Sequence, residues 1–351
     1  MQNLILGELD KLVVHYVGNK TNGDGVRFSN VLTQFENIEG YIKQLISNNF
    51  KLDELYCFYF LPKLELNPMF QFVSLIFEDK DTFVEQSQNS ARYLYDKSIH
   101  PQVKGGELCF SYFKNCELNG DVVDCIGIFK SENKETVLKV SPLIEGFELK
   151  DEKGINTNKI DKGCLVFNTK KENGYIVSLV DNTNKTSEAQ YWKDEFLKTQ
   201  PVNDEYHQTK EFLNIAKNFV TKELSDNLDV SKTDKIDLLN RSVEYFKKRE
   251  TFDKNEFEQE VFQNNDLIDS FRRFDETFRK DNEIDLSDNF EISSQAVKKQ
   301  ARVFKSVLKL DKNFDIYIHG NRDLIERGVE KDGRKYYKIC LLYTSPSPRD
   351  A

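Results

Sequence analysis

Two apolar runs, Glu107–Leu118 and Val122–Lys130, are joined by Asn119-Gly120-Asp121, and no other stretch of the 351-residue chain limits its fold as much. Asn and Gly both tolerate positive φ, which a two-residue turn between twisted strands requires, so the runs are expected to pair as an antiparallel hairpin. A strand near Thr136–Val140 follows. A second hairpin is expected from Cys164–Asn168 to Tyr175–Val180, turning near Glu172-Asn173-Gly174. Upstream, Leu9–Val17 reads as a strand that stops at Gly18-Asn19, while Phe35–Phe50 and Lys80–Lys97 carry helical spacing of apolar residues. Residues 1–200 therefore read as an α+β domain around an antiparallel sheet.

The character changes after Pro201. Asp204–Leu224, Lys232–Lys248, Lys254–Asn264, Asp266–Lys280 and Ser293–Leu310 all have helical periodicity, with Ser293 or Ser294 as N-cap of the last. Phe314–His319 and Arg334–Ile339 are expected to close this part as a hairpin across Asp332-Gly333. The fold class is thus α+β: an N-terminal sheet domain, then a mainly helical domain over 201–339. The terminal stretch 340–351, with its two Ser-Pro steps, resembles a translated sequencing-adapter segment and is expected to be non-native.

Composition removes several classes of function. With 38% hydrophobic residues, 27 Phe and 15 Tyr, the chain has material for a real core. No run approaches the ~20 apolar residues that span a bilayer. The N-terminus has no basic leader, and Glu8 and Asp10 interrupt its apolar residues, so a cytoplasmic protein without membrane contact is expected. The six cysteines form no Cys-x-x-Cys pair and the four histidines are scattered, so the cysteines read as reduced and structural, with no metal or cofactor site. His15 and Trp192 read as packed structural residues. Neither a phosphate-binding Gly-rich loop with Lys nor a Gly-x-Ser-x-Gly elbow occurs, and no catalytic residues are assigned. A metal-dependent nuclease built on Glu107, Asp121, Asp124 and Glu132, the last lying two residues beyond Lys130, is the enzymatic alternative.

A net charge of −9 and a pI near 5.3 argue against a protein basic over its whole surface, so any nucleic-acid site must be local. One segment qualifies. Between Gln295 and Lys312 lie Lys298, Lys299, Arg302, Lys305, Lys309 and Lys312 against the single acid Asp311. Omitting Lys299, these are spaced 4, 3, 4 and 3, which on a continuous helix makes one basic stripe roughly 21 Å long beside an apolar face. Lysines suit phosphates better than base edges, so binding to double-stranded DNA with little sequence preference is expected, with Arg322, Arg327 and Arg334 as helpers. Residues 251–290 hold twelve acids and five bases. This segregation fits a directed surface, and equally fits pairing between acidic and basic helices.

Several strings together resemble a known family. They include His15-Tyr16-Val17-Gly18-Asn19-Lys20, His100-Pro101, Lys104-Gly105-Gly106-Glu107-Leu108, Gly127-Ile128-Phe129-Lys130-Ser131-Glu132 and Asp161-Lys162-Gly163-Cys164. Val180-Asp181-Asn182-Thr183, Tyr191-Trp192, Tyr206-His207-Gln208-Thr209 and Asp237-Leu238-Leu239-Asn240-Arg241-Ser242 continue the series. In this order they resemble the bacterial nucleoid-associated proteins of the NdpA type, in the form found in Bacteroidetes-like bacteria. The resemblance runs from Met1 to Ile339 and implies residence in the nucleoid and association with DNA. It brings no catalytic motif. An adaptor carried to the nucleoid by a protein partner, without touching DNA, is the main alternative, and a homodimer is left open.

Overall fold

The Asn119-Gly120 turn forms as its residues demand, with φ of 54° and 93°, between strands Gly106–Leu118 and Asp121–Ser131. A computed structural model of the chain describes residues 4–183, 191–225 and 232–302, with short backbone stretches between 307 and 339. It divides into two compact units, Met1–Val202 and Asn203–Ala351.

The first unit is built on one sheet. Its elements in chain order are β1 (Leu4–Ile5), β2 (Glu8–Val17), β3 (Val26–Arg27), α1 (Glu39–Asn49), β4 (Tyr56–Phe58), α2 (Pro68–Glu78), α3 (Phe83–Lys97), β5 (Gly106–Leu118), β6 (Asp121–Ser131), β7 (Lys134–Leu143), β8 (Gly146–Ile155), β9 (Lys162–Phe167), β10 (Ile176–Asp181) and β11 (Thr199–Pro201). Strand order is β11-β4-β10-β9-β6-β5-β2-β3, with β1 on the far end of β5, and every pairing is antiparallel. Leu108, Phe110, Ile126, Ile128, Cys164 and Val166 face one core with α2, α3 and a π-helical turn at Tyr191–Leu197. Cys109, Phe113, Cys125, Phe129 and Leu165 face the opposite core with Leu45 and Ile46 of α1. Helices on both faces explain why β5, β6 and β9 are nearly continuous apolar runs with no polar alternation. Helix α2 is not expected from the sequence, where Pro68–Glu78 is a short, mostly apolar run that suits a buried strand as well; Asn67 caps it, accepting from Met69 N and Phe70 N, and Pro68 occupies its first turn.

Strands β7 and β8 pair only with each other. Their register puts Leu138, Val140, Pro142, Phe147 and Leu149 on one face, and these large apolar side chains stand in solvent, Phe147 at 75% and Leu138 at 70% exposure.

The second unit holds α4 (Glu205–Lys222), α5 (Lys232–Lys248), β12 (Thr251–Asp253), α6 (Lys254–Val261), α7 (Asn265–Asp281), β13 (Asn289–Glu291) and α8 (Ser294–Ala301). Each of Asp204, Asp253, Asn264 and Ser293 starts a helix by accepting a backbone N–H with its side chain. Phe212, Phe219, Phe246, Phe252, Phe257, Phe262 and Phe271 interlock in the core, Phe212 lying 4.3 Å from Phe252 and 5.0 Å from Phe257 between ring centroids.

Two expectations are corrected here. The last helix ends at Ala301, and Val307–Lys309 is instead a strand, β14. Val303, Phe304, Val307 and Leu308 are β-branched, aromatic or aliphatic, and such a run satisfies a strand as readily as a helix. The closing strands also pair differently. Asp315–Tyr317 (β15) pairs with β14, while Lys335–Ile339 (β17) pairs with Ile325–Val329 (β16). Each strand thus joins its nearest neighbour in sequence, the pairing with the smallest loop-closure entropy. The tail 340–351 lies outside the described residues.

Candidate nucleic-acid interface

Helix α8 is fixed at its start and open at its end. The Ser293 side chain accepts from Ala296 N at 3.4 Å, and Ser293 N donates to Thr209 Oγ1 of α4 at 3.0 Å. Ala296 and Val297 are buried against the phenylalanine core. With that face inward, Lys298, Lys299 and Arg302 are left exposed. Arg302 continues the helical backbone as C-cap (φ −68°, ψ −25°), one turn beyond Lys298. Lys299 Nζ sits 5.7 Å from the centroid of the Tyr206 ring, which fixes its approach without neutralising it.

The structure therefore brings together three of the six predicted cations. Lys309 belongs to β14, so the expected stripe does not run along a single helix, and Lys305 and Lys312 lie outside the described residues. Of the three helper arginines, Arg327 falls in β16, and Arg322 and Arg334 lie outside the described residues.

The acidic segment does not pair with this cluster. Asp275 holds Lys254 and Arg279 at 2.7 Å each, Glu258 holds Arg272 at 2.6 Å, and Glu256 and Glu260 hold Arg249 at 2.9 and 2.5 Å. Among the described residues no carboxylate reaches Lys298, Lys299 or Arg302 within ion-pair distance. The acids of this segment that form ion pairs thus hold other cations of the unit, and the basic helix end is reached by no described carboxylate.

The nuclease carboxylates stay apart. Asp124 is spent on a β-bulge of β5: it accepts from Tyr112 Oη at 2.6 Å, Lys80 Nζ at 3.0 Å and Asn115 N at 3.2 Å. Asp121 opens β6 beside the hairpin turn, and Glu107 pairs with Lys134 at 2.6 Å. Glu132 lies eight residues from Asp124, roughly 25 Å along the strand. Among the described residues no group of three or more His, Cys, Asp or Glu is placed to hold a metal ion.

His15 is a structural residue: its Nδ1 accepts from Ser29 N at 3.1 Å, so its Nε2 proton donates to Ser87 Oγ at 2.9 Å. Burial lowers its pKa to about 4. Trp192 is buried and donates to Gly163 O at 3.4 Å. The five described cysteines are all free thiols, and Cys340 lies outside the described residues. What the sequence reading passed over is a pair of lysines, Lys130 and Lys162, both fully buried. The one available signal was a lysine at the end of each of two otherwise apolar runs, Cys125–Lys130 and Lys162–Phe167.

No described helix is long and apolar enough to cross a membrane. No curated protein sequence matches the chain. Residues 13–334 match the family described as nucleoid-associated protein YejK, a span that takes in the sheet, the helical core and the basic helix end alike. The chain belongs to the family of nucleoid-associated protein YejK.

Proposed function

We propose that this nucleoid-associated protein acts in the cytoplasm and binds double-stranded DNA with little sequence preference, through a basic surface that begins at Lys298, Lys299 and Arg302. The observation that carries the reading is that, among the described residues, no carboxylate lies within ion-pair distance of these three exposed cations, in a unit whose other described arginines are mostly paired. From Lys298 to Arg302 the helix rises about 6 Å, the axial distance over which a duplex presents three to four phosphates. Two lysines and one arginine on a short helix end supply charge without the extended set of directed donors that base reading needs. Lys305, Lys309 and Lys312 follow within ten residues in the sequence.

The test is binding of the full chain to a random-sequence duplex, followed by fluorescence anisotropy across a salt series. A log–log slope of about −3 or steeper is expected if three or more cations displace counterions. No binding at low salt contradicts direct DNA contact. The second reading, recruitment by a protein partner, then takes its place. It is favoured by the exposed apolar face of the β7–β8 hairpin, since patches of this kind mark interaction sites.

A further inference from the structure

Lys130 and Lys162 are direct register partners on adjacent strands, so two ammonium groups lie side by side on one face of the sheet with no exposure. Like charges directly opposite are destabilising, and an apolar pair would pack there at least as well. Their ends are held by a closed network. Lys130 Nζ donates to Lys104 O at 2.6 Å and Glu132 Oε1 at 3.1 Å. Lys162 Nζ donates to Asp181 Oδ2 at 2.9 Å and Thr183 Oγ1 at 2.5 Å. Tyr191 Oη donates to the same Glu132 oxygen at 2.9 Å. Asp161 accepts the backbone N–H groups of Glu132 and Asn133 at 2.7 and 2.8 Å and the Asn133 side-chain amide at 3.0 Å. Burial lowers the pKa of Lys130, and burial, reinforced by Glu132, keeps the Tyr191 hydroxyl protonated as a donor.

A cavity of about 280 Å³ opens above this network, at the small end of ligand pockets. Lys104, Asn133, Lys159, Lys162, Thr183 and Tyr191 are among its walls. Among the described residues four lysines (104, 130, 159 and 162) meet three carboxylates (Glu132, Asp161 and Asp181), so positive charge is in excess there. That excess sits at the mouth. Lys104 and Lys159 are both exposed; Lys104 Nζ has a neutral partner, Asn133 Oδ1 at 2.8 Å, and Lys159 has no ion pair among the described residues. The carboxylates are already taken by ammonium, hydroxyl and amide donors, which leaves little for a cation. Among the described residues no arginine lines the cavity. Lysine point charges suit a tetrahedral oxyanion better than a planar carboxylate, which a guanidinium fork would match. Gly106 permits the arrangement: a Cβ there would meet Ser131 O at 2.0 Å, so only glycine lets the Lys104 segment approach β6 this closely.

We propose that this cavity binds a phosphate monoester, its oxyanion held by Lys104 and Lys159 over the rigid floor that the Lys130–Lys162 network makes. The site is separate from the basic helix end and does not rest on the DNA reading. A free mononucleotide and the terminal phosphate of a nucleic-acid strand offer the same group. Calorimetric titration of the full chain with adenosine monophosphate is the test, repeated on Lys104→Ala/Lys159→Ala. Both positions are exposed, so the melting temperature without ligand should not change. Saturable binding, weakened at least about tenfold in the double variant, is expected. Competition by an oligonucleotide carrying a 5′-phosphate but not by its 5′-hydroxyl twin assigns the strand end as source, and competition by neither assigns the free nucleotide. No heat with adenosine monophosphate and no thermal shift with inorganic phosphate at about 10 mM would overturn the site. So would equal affinity in the double variant, or equal competition by both oligonucleotides.

Discussion

The charges that the two units bury most deeply differ in sign, lysines in the sheet unit and carboxylates in the helical unit. In the sheet unit, Lys130 and Lys162 are fully buried, enclosed with Glu132, Asp181, Thr183 and Tyr191 in a network whose distances run from 2.5 to 3.1 Å. The helical unit packs seven phenylalanines together with two buried carboxylates, Glu258 and Asp275, whose cationic partners Lys254, Arg272 and Arg279 keep part of their side chains at the surface, and it leaves Lys298, Lys299 and Arg302 in solvent. A buried charge is held in one place and favours a fixed, small ligand. An exposed, uncompensated charge on a helix end favours a long polyanion, whose phosphates it can meet in many registers.

The largest effect should come from the ring core. Phe212→Ala removes a side chain that touches Phe246, Phe252, Phe257 and Phe271, and should destabilise the helical unit by about 3–5 kcal/mol in urea unfolding. A loss under about 1 kcal/mol would mean that this core is loosely packed. Next is Glu132→Ala, which leaves the Lys130 ammonium buried without its carboxylate and should cost about 3 kcal/mol. Lys130→Met combined with Glu132→Gln should restore most of that, because burial rather than pairing dominates the energetics of such a pair. If the double variant is as unstable as the single one, the network does more than neutralise itself.

His15 sharpens the same contrast through pH. Its folded pKa of about 4 lies below the unfolded 6.5, so the unfolded chain binds the proton first. The stability due to neutral His15 is fully present above pH 6.5 and is lost as pH falls from 6.5 towards 4, by at most about 3 kcal/mol. Melting curves of the wild type and His15→Gln should converge towards pH 4; a constant difference would contradict the lowered pKa of His15. The smallest effect is expected from the lone hairpin. Replacing residues 136–153 with a two-residue Asn-Gly turn should change the melting stability by less than about 1 kcal/mol, since an isolated hairpin adds little to the core.

Much of this architecture was legible in the sequence. Asn119-Gly120 and the two apolar runs beside it placed the central hairpin, and the helical spacing after Pro201 placed α4, α5, α6 and α7 within a few residues. The misses share a physical origin. Pro68–Glu78 is a short, mostly apolar run, which a buried strand would match as well as a helix, and Val303–Leu310 satisfies both periods, so its helical spacing was mistaken for structure. The single-helix cation stripe was lost with it, leaving Lys298, Lys299 and Arg302 as the part that the described helix carries. The Lys130–Lys162 pair could not be read at all, because strand register is a long-range property and a lysine at the end of an apolar run ordinarily points to water.

The most direct test of the account is the salt dependence of duplex binding by the wild type, by Lys298→Ala/Lys299→Ala/Arg302→Ala and by Lys104→Ala/Lys159→Ala, side by side. Removing three phosphate contacts should flatten the log–log slope by about 2.7, while the cavity variant keeps the wild-type slope. If the helix-end variant binds duplex with an unchanged slope, the central claim is wrong and the basic end of α8 is only a solvated surface.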